Sequence, residues 1–221
     1  MSELRPRRRV PLYVPCCFAM MAAALLLCYY LTHLALPHLT AHVLTGALDA
    51  RIPLSPPWVV VYCLSFPFWV GVGLWILTDG KPRAYRFTAA FLLAMALSAA
   101  AFLAWPGTMD RPEIVGSGFF AEWLRFLYRV DSPTNLCPSL HVLNTWFCLR
   151  GALGCKRIPR WFKGLALVFF LCVCCAVLLI KQHALIDVPC GVLVGELSLQ
   201  LARALRLERI LFAIDKSGRS E

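Results

Sequence analysis

Apolar positions along the chain fall into long, nearly unbroken runs, and polar residues collect in the gaps between them. A run of about 20 apolar residues matches the hydrocarbon thickness of a bilayer. Six such runs are found, roughly 12 to 36, 57 to 78, 86 to 105, 139 to 155, 162 to 180 and 184 to 205. The pattern predicts an all-α, polytopic membrane protein: a six-transmembrane-helix bundle forming one domain over 1–221, with no internal repeat and no linker. The first run is longer than a signal peptide's apolar core and no small-residue cleavage site follows it, so it is read as a true span. The longest gap, 106 to 138, carries Phe119, Phe120, Trp123, Leu124, Phe126, Leu127 and Tyr128 with Glu122, Arg125 and Arg129 interspersed. That pattern predicts an interfacial helix between spans three and four, as an aromatic anchor or as a lid over a lipid.

Composition sharpens this picture. Hydrophobic residues make up 60% and charged residues 15%, with a mean hydropathy of +0.69, which excludes a soluble enzyme and a disordered chain. The net charge of +10 would suggest nucleic acid if it formed one patch, but the charges lie between the apolar runs. With the flank Arg5, Arg7, Arg8 and Arg9 cytoplasmic, only Arg51, Arg111, Arg125, Arg129 and Lys181 of the 22 basic residues fall outside. The positive-inside rule expects such a partition, so both termini are predicted cytoplasmic and no nucleic-acid partner is expected. Most of the 11 cysteines sit inside spans as small hydrophobes, without metal-ligand spacing. Cys137 and Cys190 are close enough to the outer face for a bridge to be considered, though no pattern supports one.

Polar residues at membrane depth are costly and therefore point to function. Three groups fall on the outer side: Asp110, Arg111, Pro112 and Glu113 after span three; Asn135 to His141 opening span four; and Lys181, Gln182, His183 and Asp187 opening span six. His183 and Asp187 are four apart, one helical turn, so the carboxylate can hold Nδ1 and leave Nε2 as base or nucleophile; a structural ion pair is the alternative. His141 follows a Pro and a predicted Ser139 N-cap, so two helix N-termini converge with Arg111 and Lys181 as cations around an anion site. Two histidines, a hydroxyl and two cations suit phosphoryl transfer with no metal or other cofactor, one imidazole attacking phosphorus and the other protonating the departing alkoxide. In-line displacement would hold the imidazoles roughly 5 to 9 Å apart.

These residues resemble the type 2 phosphatidic acid phosphatase superfamily of integral-membrane lipid phosphatases and phosphotransferases. The likeness rests on Arg111-Pro112, on Pro138-Ser139-Leu140-His141, and on His183-Ala184-Leu185-Ile186-Asp187 followed by Gly191, in the family's order. It implies that Arg111 and Ser139 bind phosphate, His141 is the acid, His183 forms a phosphohistidine and Asp187 orients it. The chain departs from the pattern at Ala104, where the family has Lys, at Ala176 and Val177, where it has Ser-Arg, and at Leu140, where Gly is common. Lys181 is expected to replace the missing Arg as a phosphate ligand. Pro-Ser-Leu-His and Lys-Gln-His resemble the aureobasidin-resistance-type inositol phosphotransferase-like branch, in which many bacterial members are similar to plain phosphatases. The resemblance thus implies a cell-membrane phosphatase, bacterial in kind, acting on a phospholipid or isoprenoid phosphate at the extracytoplasmic face. Transfer to an alcohol, and an inactive or transporting membrane protein, are the alternatives.

Two further features remain. His33, His38 and His42 cluster at the outer end of span one, with the spacing of a metal pair in the last two but no third ligand, and are expected to be interfacial. Glu196 lies deep in span six, where it is expected to bond a neighbouring helix, a proton relay with Asp187 being the other reading. Oligomeric state is not readable from this sequence.

Overall fold

The computed structural model describes residues 10–35 and 38–217. The basic flank Arg5, Arg7, Arg8 and Arg9, and Arg219 near the C-terminus, lie outside the described residues. Among the described residues the regular structure is helical apart from one parallel pair of two-residue strands, β1 (His42–Val43) and β2 (Gly107–Thr108). In chain order the helices are α1 (Tyr13–Ala35), α2 (Ala47–Arg51), α3 (Val59–Leu77), preceded by a 3-10 turn at Pro56–Trp58, α4 (Lys81–Ala104), α5 (Phe119–Val130), α6 (Leu140–Gly154), α7 (Arg160–Leu179), α8 (Asp187–Ala204) and α9 (Glu208–Ser217).

Each of the six apolar runs coincides with one long helix, because a segment without polar side chains satisfies its backbone most completely within itself. Four helices are long and apolar enough to cross a membrane: α1, α3 with its leading turn, α4 and α7. A fifth is reached if α8 and α9, bent by 59° at their junction, form one span. Helix α6 falls short because its 15 residues rise only about 22 Å. The expectation of six spans is therefore met in part. Helix α4 begins five residues before its apolar run, since Gly80 at φ 108 ends the preceding turn and Pro82 suits a first helical turn.

Helix α6 is the centre of the assembly. It packs on α3, α7 and α8, and nine of its side chains, from Leu140 to Ala152, are buried. Helix α4 lies between α1 and α8, with small residues Ala84, Ala94 and Ser98 fully covered, which lets backbones approach closely. Helices α1 and α7 leave Leu26, Leu27, Leu31, Leu165, Val168 and Leu171 exposed. Exposed apolar side chains on peripheral helices are what a lipid-facing surface requires. Helix α5 is amphipathic as expected: Ala121 and Leu124 are buried while Phe119, Phe126 and Val130 are exposed. The Tyr128 hydroxyl donates to the Ile180 carbonyl at 2.8 Å, fixing α5 over the end of α7.

Candidate active site

The α7–α8 turn delivers the first histidine. After Leu179 the chain reverses through Lys181, in a left-handed conformation at φ 53, and α8 starts at Asp187. His183 Nδ1 lies 3.1 Å from Asp187 Oδ2 and 3.1 Å from the Leu136 carbonyl. Both neighbours are acceptors, so Nδ1 carries the hydrogen and Nε2 keeps a free lone pair. Asp187 is fully buried, and its Oδ2 also accepts the Ala184 N–H at 2.9 Å. As the first residue of α8, it also meets the positive end of that helix.

The second histidine opens α6. Ser139 caps this helix, its Oγ accepting the Val142 N–H at 3.4 Å, and His141 follows two residues later. The His141 ring stacks on Tyr62 at a centroid distance of 3.9 Å and is flanked by Phe66 at 5.2 Å and Trp69 at 5.0 Å. Its Nε2 is buried without a hydrogen-bond partner. The His141 and His183 rings are 6.3 Å apart between centroids, with their planes inclined at 55°. Close backbone contact sets this spacing: the Ser139 N–H donates to the Asp187 carbonyl at 3.2 Å, and a Cβ on Gly191 would stand 2.9 Å from the Ser139 carbonyl.

Two cavities meet at His183. The first, about 270 Å³, is walled by Tyr29, Tyr62, Phe66 and Trp69 and also lined by His141, Asp131, Asn144 and Gln182. Leu25 and Leu26 of α1 form its apolar flank. The second, about 510 Å³, contains Arg111, Lys181, Asp110 and Asp49. His183 lines both.

Of the expected site residues, His141, His183 and Asp187 come together, while Arg111 and Lys181 line the second cavity, which His183 shares. The Arg111 guanidinium lies over the Tyr128 ring at 4.6 Å, donates to the Asp131 carbonyl at 2.5 Å and to Gln182 Oε1, and keeps Nε free. Burial lowers the Arg111 pKa and pushes the Tyr128 phenol up to about 12. Lys181 donates to the Asp49 carbonyl at 2.7 Å at the rim of the second cavity, and partial burial lowers its pKa. Ser139 is fully buried as a helix cap and lines neither cavity. Glu113 is exposed outside both.

Sequence reasoning missed Asp131, Tyr29, Tyr62 and Asn144. The Asp131 carboxylate accepts from Tyr29 at 2.7 Å and from Tyr62 at 3.0 Å, joining helices far apart in sequence. Asn144 was detectable as an amide inside an apolar run, one turn after His141. It is 3% exposed, and neither of its amide atoms has a partner. Cys137 and Cys190 are adjacent free thiols, and burial raises Cys137 to about 12. His33 contacts Thr134 at 3.3 Å, His42 stacks on Trp105 at 4.5 Å, and His38 is exposed. Glu196 joins α8 to α6, accepting from Arg150 at 2.8 and 3.0 Å and from Trp146 at 3.3 Å. No three His, Cys, Asp or Glu side chains converge as metal ligands among the described residues. No family model, curated protein or solved structure matches the chain.

Proposed function

We propose that the protein is an integral-membrane lipid phosphate phosphatase of the type 2 phosphatidic acid phosphatase kind, working through a phosphohistidine. The observation that carries this reading is the pair of imidazoles 6.3 Å apart, one of them tied to a buried carboxylate, beside a cavity with an apolar flank. His183 Nε2 attacks phosphorus while the bond to the lipid alkoxide breaks and His141, which takes up a proton as the phosphate anion binds, gives that alkoxide its proton. A water then attacks the phosphohistidine, His141 takes the water's proton, and phosphate leaves with His183 restored. Arg111 and Lys181 stabilise charge on the phosphoryl oxygens from the second cavity.

The α6 helix and the α8–α9 pair complete a six-span bundle whose His183 end faces away from the cytoplasm. Support for that direction comes from the charges: Arg83, Arg86, Arg150, Arg157, Arg203 and Arg206 lie toward the other end, where α3 meets α4, α6 meets α7 and α8 meets α9. Transfer to an alcohol is a second reading, favoured by the free Asn144 amide, which can hold an acceptor hydroxyl. Purified protein in detergent should release phosphate from phosphatidic acid in the presence of a divalent-metal chelator. An added alcohol that yields a new lipid would select transfer, and no release or transfer would end both readings.

A further inference from the structure

The first cavity contains a carboxylate that the phosphatase reading does not use. Asp131 is held by two phenol donors, Tyr29 at 2.7 Å and Tyr62 at 3.0 Å, and faces a space also walled by Phe66 and Trp69. Among the described residues, no Lys or Arg lines that space. Arg111 bonds the Asp131 main-chain carbonyl from the second cavity and its charge also acts on the Asp131 carboxylate; among the described residues the other titratable groups at the first cavity are His141, His183 and Tyr30. A fixed negative charge among aromatic faces is complementary to an ammonium group, through Coulomb attraction to the carboxylate and through the negative faces of the rings.

A phosphate monoanion between the two histidines would, by contrast, be repelled by the Asp131 carboxylate in the same cavity. An ammonium a few bonds from the phosphorus removes the repulsion. Asp131 and Arg111 then present opposite charges side by side, the pattern that matches a zwitterion. The mostly apolar walls fit a compact, methylated or primary ammonium better than a polyol, whose hydroxyls each need a partner. Asn144, buried with a free donor and a free acceptor on the same cavity, is a second sign that a polar ligand fills this space.

We propose that this cavity binds the ammonium end of a zwitterionic phosphate ester, with Asp131 as counter-ion, positioned by Tyr29 and Tyr62. The assignment rests on the reading that phosphorus sits between His141 and His183. Full-length protein in detergent would be titrated with phosphocholine, phosphoethanolamine and glycerol phosphate, following the heat of binding. The two ammonium esters should bind at least about tenfold more tightly than glycerol phosphate, the scale of one desolvated cation–π and ion-pair contact. Asp131→Asn should bring the ratio to about one, and Tyr29→Phe, which keeps the ring and removes the donor, should reduce it. Equal binding of glycerol phosphate by the unaltered protein, no binding of any ester, or full preference retained in Asp131→Asn overturns the proposal. Selectivity without any phosphoenzyme would sustain the ammonium site and instead refute the catalytic reading.

Discussion

At the scale of single residues, the two histidines differ in what surrounds them, and their roles follow. His183 is anchored at Nδ1 by two acceptors, so its free Nε2 is aimed and ready. His141 is packed among aromatic faces, and its buried Nε2 has no hydrogen-bond partner. His183→Ala should therefore abolish acid-labile ³²P labelling of the protein. His141→Ala should retain labelling with an aryl phosphate, whose leaving group departs unprotonated, but not with phosphatidic acid. Equal rescue of both variants by the aryl phosphate would reverse the assignment. Lys181→Ala should lower turnover by about a hundredfold, comparable to loss of one transition-state donor. Near-normal kcat in that variant would mean that Arg111 alone balances the phosphoryl charge.

At the scale of elements, the site depends on two helix starts being closer than side chains normally permit. Gly191 on α8 faces the Ser139 carbonyl and Val142 of α6, and any Cβ there meets main chain that cannot rotate away. Gly191→Ala should separate α6 from α8, widen the gap between His141 and His183, and reduce kcat at least tenfold while the protein still inserts and purifies. The tenfold scale corresponds to about 1.4 kcal/mol of lost transition-state alignment. Unchanged kcat in Gly191→Ala would show that the helix starts can part without disturbing the imidazoles. Tyr128 offers a related handle: its bond to Ile180 and its face under Arg111 make α5 a brace for the cation.

At the scale of the whole molecule, Arg83, Arg86, Arg150, Arg157, Arg203 and Arg206 gather toward the end of the bundle opposite the site, whose own cations are Arg111 and Lys181. A cysteine introduced at Val115, which is 87% exposed near the site, should react with a membrane-impermeant maleimide on intact cells. One at Arg157, between α6 and α7, should react only after the membrane is opened. Labelling of both positions from outside would invalidate the six-span topology and its direction.

Much of this organisation is legible in the sequence because the membrane reduces folding to one strong rule, burial of an apolar segment as a helix. The six long helices, the α5 amphipathic pattern and the His183–Asp187 pairing all follow from residues within one or a few turns of each other. Ser139 reads as an N-cap for the same reason, and its local role is the one the structure displays. What no local rule determines is which side chains meet across helices. Asp131 looks like a loop acid until Tyr29 and Tyr62, 102 and 69 positions away, turn it toward a cavity. Lys181 reads only as a cation near His183 until the left-handed turn places its ammonium on the Asp49 carbonyl at the rim of the second cavity. Composition and periodicity thus determined the helices and the local His183–Asp187 pair. Packing decided the cavities, because a lining is made by residues that share space and not sequence.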